Sequence, residues 1–197
     1  MGGEEFFQEA IARCHSLFEQ ASQLAVKEPM AMSLATTDRN GQPSVRMVLL
    51  RGFDERGFVF YTNADSRKGH QLAENPRAAI CMHWDDLREQ LRAEGTTQKV
   101  EDVQSDQYWS SRPRLSQLAA IASLQSEVLQ ERKLLEDEVD RLDQMYAGQD
   151  VPRPDFWYGF RLVPDRIEFW SGREGRLHAR TLYTLVDGNW SGSLLYP

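Results

Sequence analysis

The chain has 197 residues, 41% hydrophobic and 27% charged, which is enough for one sizeable globular domain and short for two. A net charge of −7 excludes a broad nucleic-acid surface and makes any local knot of Arg and Lys informative. No apolar run approaches the roughly 20 residues of a spanning helix, and 2 cysteines and 4 scattered histidines supply neither a disulfide framework nor a metal-ligand spacing.

The opening MGGEEFFQEA is acidic and lacks the basic and apolar regions of a signal peptide, so a cytoplasmic protein is expected. Phe7, Ala10, Ile11, Cys14, Leu17, Phe18, Ala21 and Leu24 recur at helical spacing and predict a helix from Glu4 to about Lys27, ended by Pro29. Residues 1–28 then form an N-terminal helix, and residues 29–197 a single domain with a helical insert at about 100–147. Ala31–Thr37 reads as a strand, followed by the tight-turn signal Asp38-Arg39-Asn40-Gly41. Pro43–Phe53 and Phe58–Thr62 continue what reads as an antiparallel meander. Ser66 caps a short helix that Asn75-Pro76 ends, and strands follow at Ala78–Trp84 and Glu89–Gly95.

The middle is helical, with Val100–Ser111, Pro113–Ala122 and Glu127–Tyr146 as candidates. Pro113 suits a first helical turn. The stripe Leu134, Leu135, Val139, Leu142 and Met145 is expected to pack against the sheet. After the linker Val151-Pro152-Arg153-Pro154 come strands at Phe156–Val163, Arg166–Trp170, Thr181–Val186 and Trp190–Leu195. Strands on both sides of a helical insert, without βαβ alternation, predict a mainly β fold: one antiparallel barrel with peripheral helices.

Four basic knots stand out: Arg46 in SVRMVLL, Arg67-Lys68 in DSRKG, Arg112 and Arg114 in SSRPRLS, and Arg176 and Arg180 in GRLHAR. Arg46 interrupts an apolar strand, where a charge needs a partner. Ser66 would expose free N–H groups beside Arg67 and Lys68, a setting for an anion. Taken singly, each knot also reads as a solvated surface or a helix flank. Together, in an acidic protein, they point to a phosphorylated ligand, or to two. Glycine-rich phosphate loops and a Ser-His-Asp arrangement are absent. Cations and aromatics without an evident nucleophile suit chemistry carried by a cofactor.

The ordered set RMVLL, FYTNADSRKG, SRPRLSQ, LQS, IEFW, GRLHAR and a terminal L-x-P resembles the pyridoxine (pyridoxamine) 5′-phosphate oxidase family over roughly Pro29–Pro197. The resemblance implies an FMN-binding split barrel that works as a homodimer with the flavin between subunits. It implies Arg46, Met47, Val48, Leu49, Tyr61, Thr62, Arg67, Lys68, Gln90, Gln125, Ser126, Trp170 and Arg180 as cofactor contacts. For the substrate it implies Arg51, Tyr108, Arg112, Ser116, Arg176, Leu177 and His178, with Arg176 and His178 at the reacting carbon. Spacings of four would set Tyr108, Arg112 and Ser116 on one helical face if the turn stays helical through Pro113.

The implied chemistry is hydride transfer from the 4′ carbon of pyridoxamine or pyridoxine 5′-phosphate to FMN. Oxygen reoxidises the flavin, and hydrogen peroxide and pyridoxal 5′-phosphate are released. No metal, nucleic acid or membrane partner is implied. The chain departs from the family pattern at Arg51, where Lys is usual, at Leu194, where Arg is usual, and in lacking a basic, Tyr-containing N-terminal arm. Two other readings stand beside this one: a related split-barrel oxidase for another reduced aromatic such as a phenazine precursor, and a non-catalytic FMN or pyridoxal phosphate binder.

Overall fold

The computed structural model describes residues 2–24 and 27–197. Its strands are β1 (Ala31–Thr37), β2 (Pro43–Leu49), β3 (Gly52–Asp54), β4 (Gly57–Asn63), β5 (Arg77–Trp84), β6 (Glu89–Lys99), β7 (Trp157–Ser171), β8 (Ala179–Val186) and β9 (Asn189–Leu195). In β1 and β5 every second residue points into the core, as a half-buried strand requires. All pairings are antiparallel, in the order β2-β1-β5-β6-β7-β4-β3, with β8 also on β7 and β9 on β8. The mainly β barrel with peripheral helices expected from the sequence is what forms. β2 is an edge strand, and its Val45 and Met47 are 69% and 63% exposed.

β7 organises this sheet. It pairs with β6 through residues 160–171, with β4 through residues 157–162, and with β8 through residues 166–171. The partner changes at a bulge, where Glu94 faces Arg166 and Gly95 faces Pro164. Pro164 has no N–H to donate, and a Cβ on Gly95 would sit 2.0 Å from the Val163 carbonyl oxygen. The two strands predicted at 156–163 and 166–170 are therefore one bent strand.

The predicted meander also needs correction. The β1–β2 hairpin forms, but the expected strand to Phe53 stops after Leu49. Leu50 turns into the core at 3% exposure, and its N–H donates to the Met30 carbonyl. The β3–β4 hairpin then pairs with β7 and not with β2. An apolar run reads the same on either side of such a corner.

Helix α1 (Gly3–Ser22) lays Ala10, Ile11, Cys14, Leu17, Phe18 and Ala21 into the main core, beside Met32, Leu34, Phe58, Phe60, Ile80 and Phe169. It stops short of the predicted Lys27, and Ala25 and Val26 of that stretch lie outside the described residues. Helix α2 (Arg67–Glu74) starts at Ser66, whose hydroxyl accepts from the Gly69 N–H. Helices α3 (Asp102–Ser110), α4 (Arg114–Ala122) and α5 (Arg132–Met145) build a second, smaller core of Trp109, Leu118, Leu142, Val151 and Trp157. α5 begins later than the predicted Glu127, and its stripe faces α4 and this small core instead of the main sheet core. Leu142 is buried, whereas Leu134 and Met145 are 53% and 57% exposed.

Close packing sets α2 in place. A Cβ on Gly69 would lie 2.0 Å from the Ala64 carbonyl oxygen, so only glycine lets the first turn of α2 rest on the preceding turn. Gly69→Ala is expected to cost about 2–4 kcal/mol through backbone displacement. Thermal unfolding followed by circular dichroism checks this, and an unchanged midpoint would show that α2 is free to shift.

Candidate active site

A cavity of about 740 Å³ lies where β2 and β4 meet the start of α2 and the α3–α4 turn. Arg46, Met47, Val48 and Leu49 line it from β2, Tyr61 and Thr62 from β4, and Lys68 from α2. Arg51, Tyr108, Arg112, Ser116 and Gln125 complete the predicted residues on its wall. Arg67 and Ser126 stand beside it, joined by a hydrogen bond from the Arg67 N–H to Ser126 Oγ at 3.1 Å. Ser126 holds a left-handed backbone with φ 82°, a cost that a non-glycine residue accepts only under local constraint.

Its first cationic group is Arg46, Arg67 and Lys68. Lys68 Nζ donates to Gln125 Oε1 at 2.5 Å and to Ser66 Oγ at 3.1 Å, both neutral acceptors. Burial pushes the Lys68 pKa down to about 8, and the Arg46 charge adds to the effect. Burial also lowers the pKa of Arg46, with Arg67 contributing. Among the described residues no Asp or Glu pairs with any of the three. Like charges gathered at a helix start without a counter-charge make a site for an anion.

The second group is Arg51, Tyr108, Arg112 and Ser116. The single helical face expected for the last three does not form, because α3 ends at Ser110 and Pro113 caps α4. Proline disfavours helical backbone in the residue before it, and a helix–turn–helix brings the three side chains to one wall instead. The Arg112 guanidinium carbon lies 4.6 Å from the Trp157 ring centre and 5.2 Å from that of Trp109. Its Nη1 is buried without a hydrogen-bond partner, which is an open donor. Burial lowers the Arg112 pKa; Tyr108 opposes the shift and Arg51 adds to it. Arg114, adjacent in sequence, turns away to Asp143 and the carbonyl of Tyr146.

An aromatic stack joins the two groups. Tyr61 and Tyr108 stack at 4.1 Å, and Trp157 lies 5.5 Å from Tyr61 with nearly parallel planes. Trp157 was missed in the sequence, where it reads as the first core residue of a strand. Its one signal is its place just after a proline-rich linker. Gln71 and Glu168 were missed as well: both are buried polar residues inside otherwise amphipathic elements.

Besides Arg67 and Ser126, six predicted residues do not line this cavity. Gln90, Trp170 and Arg180 form a cross-strand row over β6, β7 and β8. Arg180 Nε donates to Glu168 Oε1 at 2.8 Å, and the His178 ring lies 4.6 Å from Trp170. His178 Nδ1 accepts from the Arg173 N–H at 3.2 Å, which leaves Nε2 to carry the ring proton. Arg176 has φ 61°, directly after Gly175 at 62°, and Leu177 is 75% exposed. This second cluster is separate from the cavity of its own chain.

Two family descriptions match the chain: "Pyridoxamine 5′-phosphate oxidase" over residues 18–146 and "Pyridoxine 5′-phosphate oxidase C-terminal dimerisation region" over residues 157–197. The chain is 52% identical to a pyridoxine/pyridoxamine 5′-phosphate oxidase of Myxococcus xanthus over 95% of its own length and 91% of that relative's. It is 46% identical to the Zymomonas mobilis protein of the same name, over 93% and 97%. Among solved structures it superposes with TM-score 0.90 on PhzG from Burkholderia lata in complex with tetrahydrophenazine-1-carboxylic acid, at 31% identity over 95% of this chain and 92% of that one. A pyridoxamine 5′-phosphate oxidase-related, FMN binding protein from Nostoc punctiforme shares the fold at TM-score 0.72 and 23% identity, over 94% and 95%.

The depressed Lys68 pKa sets a pH dependence for anion binding. Lys68 loses its proton as pH rises through about 8, so the affinity of the ligand-free protein for a phosphate monoester falls between about pH 7 and 9. The monoester itself is already dianionic there, its second pKa being about 6. Lys68→Met should flatten the profile, as read by flavin-fluorescence quenching against pH. The linkage to folding has the opposite sense. Above about 8 the unfolded chain holds a proton that the folded one has lost, so stability rises toward pH 10.5.

Proposed function

The chain belongs to the pyridoxamine 5′-phosphate oxidase family, and on that premise we propose that it oxidises pyridoxamine or pyridoxine 5′-phosphate to pyridoxal 5′-phosphate, with FMN as cofactor and O2 as acceptor. One observation carries this reading: a single cavity holds two cationic groups without counter-charge, one for each of two phosphates. Arg46, Arg67 and Lys68 suit the cofactor phosphate. Arg112, with its open Nη1, suits the substrate phosphate together with Arg51, Tyr108 and Ser116. When bound, the flavin supplies the hydride acceptor for the substrate's 4′ carbon and passes the electrons to O2 as H2O2.

The protein's own part is positioning. Met47, Val48, Leu49, Tyr61 and Thr62 give the cofactor an apolar and hydrogen-bonding wall, with Gln125 and Ser126 at its phosphate end. Tyr108 and Trp157 exclude water from the face where Arg112 grips the substrate. Gln90, Trp170, Arg176, Leu177, His178 and Arg180 act across a homodimer interface, where one subunit's second cluster closes the other's cavity. The dimerisation-region match over residues 157–197, which contains five of these six, supports that arrangement. His178 then offers its Nε2 proton to the substrate ring, and Arg176 faces the reacting carbon. The free thiols Cys14 and Cys81 suit a reducing cytoplasm.

A second reading, oxidation of an unphosphorylated aromatic such as a phenazine precursor, draws on the close superposition with PhzG. It gives the Arg51–Arg112 group one carboxylate to meet, a smaller charge than a phosphate dianion. Two measurements separate the readings. Pyridoxamine 5′-phosphate added without oxygen should bleach the yellow protein, and a flavin-loaded protein that stays yellow at millimolar substrate overturns the assignment. Arg112→Ala should raise KM for the phosphorylated substrate about hundredfold while the protein stays yellow, the loss of one charge-assisted contact to a buried phosphate. Unchanged KM would favour the phosphate-independent reading.

A further inference from the structure

Gln71 stands on α2 one turn beyond Lys68, 4% exposed and behind the cavity wall. Its Oε1 accepts from Thr36 Oγ1 at 2.6 Å and from Arg46 Nη2 at 3.3 Å, and its Nε2 donates to Ser44 Oγ at 3.1 Å. Thr36 Oγ1 in turn accepts from Arg46 Nη1 at 2.7 Å, so its own proton must go to Gln71. Arg46 Nη1 also reaches the carbonyls of Leu34 and Ser44, at 2.9 and 3.3 Å. Among the described residues, every hydrogen-bond acceptor of the Arg46 guanidinium is thus a neutral oxygen.

Arg161 and Arg180, outside the cavity, are treated differently. Arg161 pairs with Asp54 at 2.5 Å, and Arg180 pairs with the buried Glu168 at 2.8 Å. A carboxylate is the ordinary way to settle a guanidinium out of water. At position 71 an acid would face Arg46 and would also lie at i+3 from Lys68 on the same helix. It would neutralise the charge that the cavity presents.

We propose that Gln71 is a positioning residue that fixes Arg46 in the cofactor-phosphate site while leaving its charge unneutralised. This rests on the reading that Arg46, Arg67 and Lys68 hold the FMN phosphate. α2 then has two tasks: it carries Lys68 into the site, and it braces Arg46 from behind through an uncharged amide.

Gln71→Glu tests the idea because it preserves shape and changes charge. The new carboxylate meets a guanidinium and two hydroxyls that can all donate to it, so the helix keeps its contacts. Affinity for FMN and for riboflavin, which shares the ring and lacks the phosphate, is measured on the full-length protein by fluorescence quenching. Gln71→Glu should weaken FMN binding by about tenfold or more, the factor given by about 1.4 kcal/mol, and leave riboflavin nearly unchanged. Equal losses for both flavins, or no loss for FMN, overturn the proposal. Thr36→Val removes the bridging hydroxyl without adding charge and should give a smaller loss, again confined to FMN. That variant decides the matter if Gln71→Glu does not fold, and a loss shared by riboflavin overturns the proposal there too. Wild-type protein that prefers FMN no more than riboflavin would instead refute the phosphate site itself, and the inference with it.

Discussion

One strand has to serve three neighbours. β7 is 15 residues long, and at about 3.3 Å per residue Trp157 and Trp170 stand roughly 40 Å apart along it. Near Trp157 the strand supports the aromatic stack and the Arg112 wall; near Trp170 it carries the row that ends in Arg180 and His178. A ladder with β6 from Phe160 to Ser171, bent at the Glu94–Gly95 bulge, keeps the two ends apart. No side chain spans such a gap. On the proposed function, a site that uses both ends of β7 takes them from two chains, in keeping with the dimerisation-region match over residues 157–197.

The cavity's charges follow the same economy. Elsewhere carboxylates settle two inward-facing arginines, Asp54 for Arg161 and Glu168 for Arg180. Around Arg46, Lys68 and Arg112 it uses amides, hydroxyls and aromatic faces. Such groups orient a cation without cancelling it. The cost appears as depressed pKa values at all three and as an open donor at Arg112 Nη1. Of the four described non-glycine residues in left-handed backbone, Ser126 and Arg176 belong to the two candidate clusters, while Arg88 and Asp187 serve the turns before β6 and β9.

What the sequence disclosed follows from the range of the forces involved. Local signals held: the period-two alternation of β1 and β5, the Asp38–Gly41 turn and the Ser66 cap are each decided within a few residues. Partnership between distant segments was hidden. Nothing near Phe58 tells that β4 pairs with β7 and not with β2, and Pro164 looks like a strand end when it is the middle of one. At the site, the cations were legible because each breaks an apolar or acidic context. Gln71 and Trp157 were not, since a glutamine in a helix and a tryptophan in a strand are unremarkable until a neighbour from afar gives them something to hold or stack upon.

The bare flank of β2 carries a last implication. An edge strand with Val45 and Met47 turned outward is a template on which another chain can polymerise, and this one bears Arg46 between them. A lone subunit therefore risks aggregation through the same strand that lines the cavity. On the proposed function, flavin held against Arg46, Met47 and Val48 would shield part of that strand. Loss of colour would then bare the strand and lower solubility together.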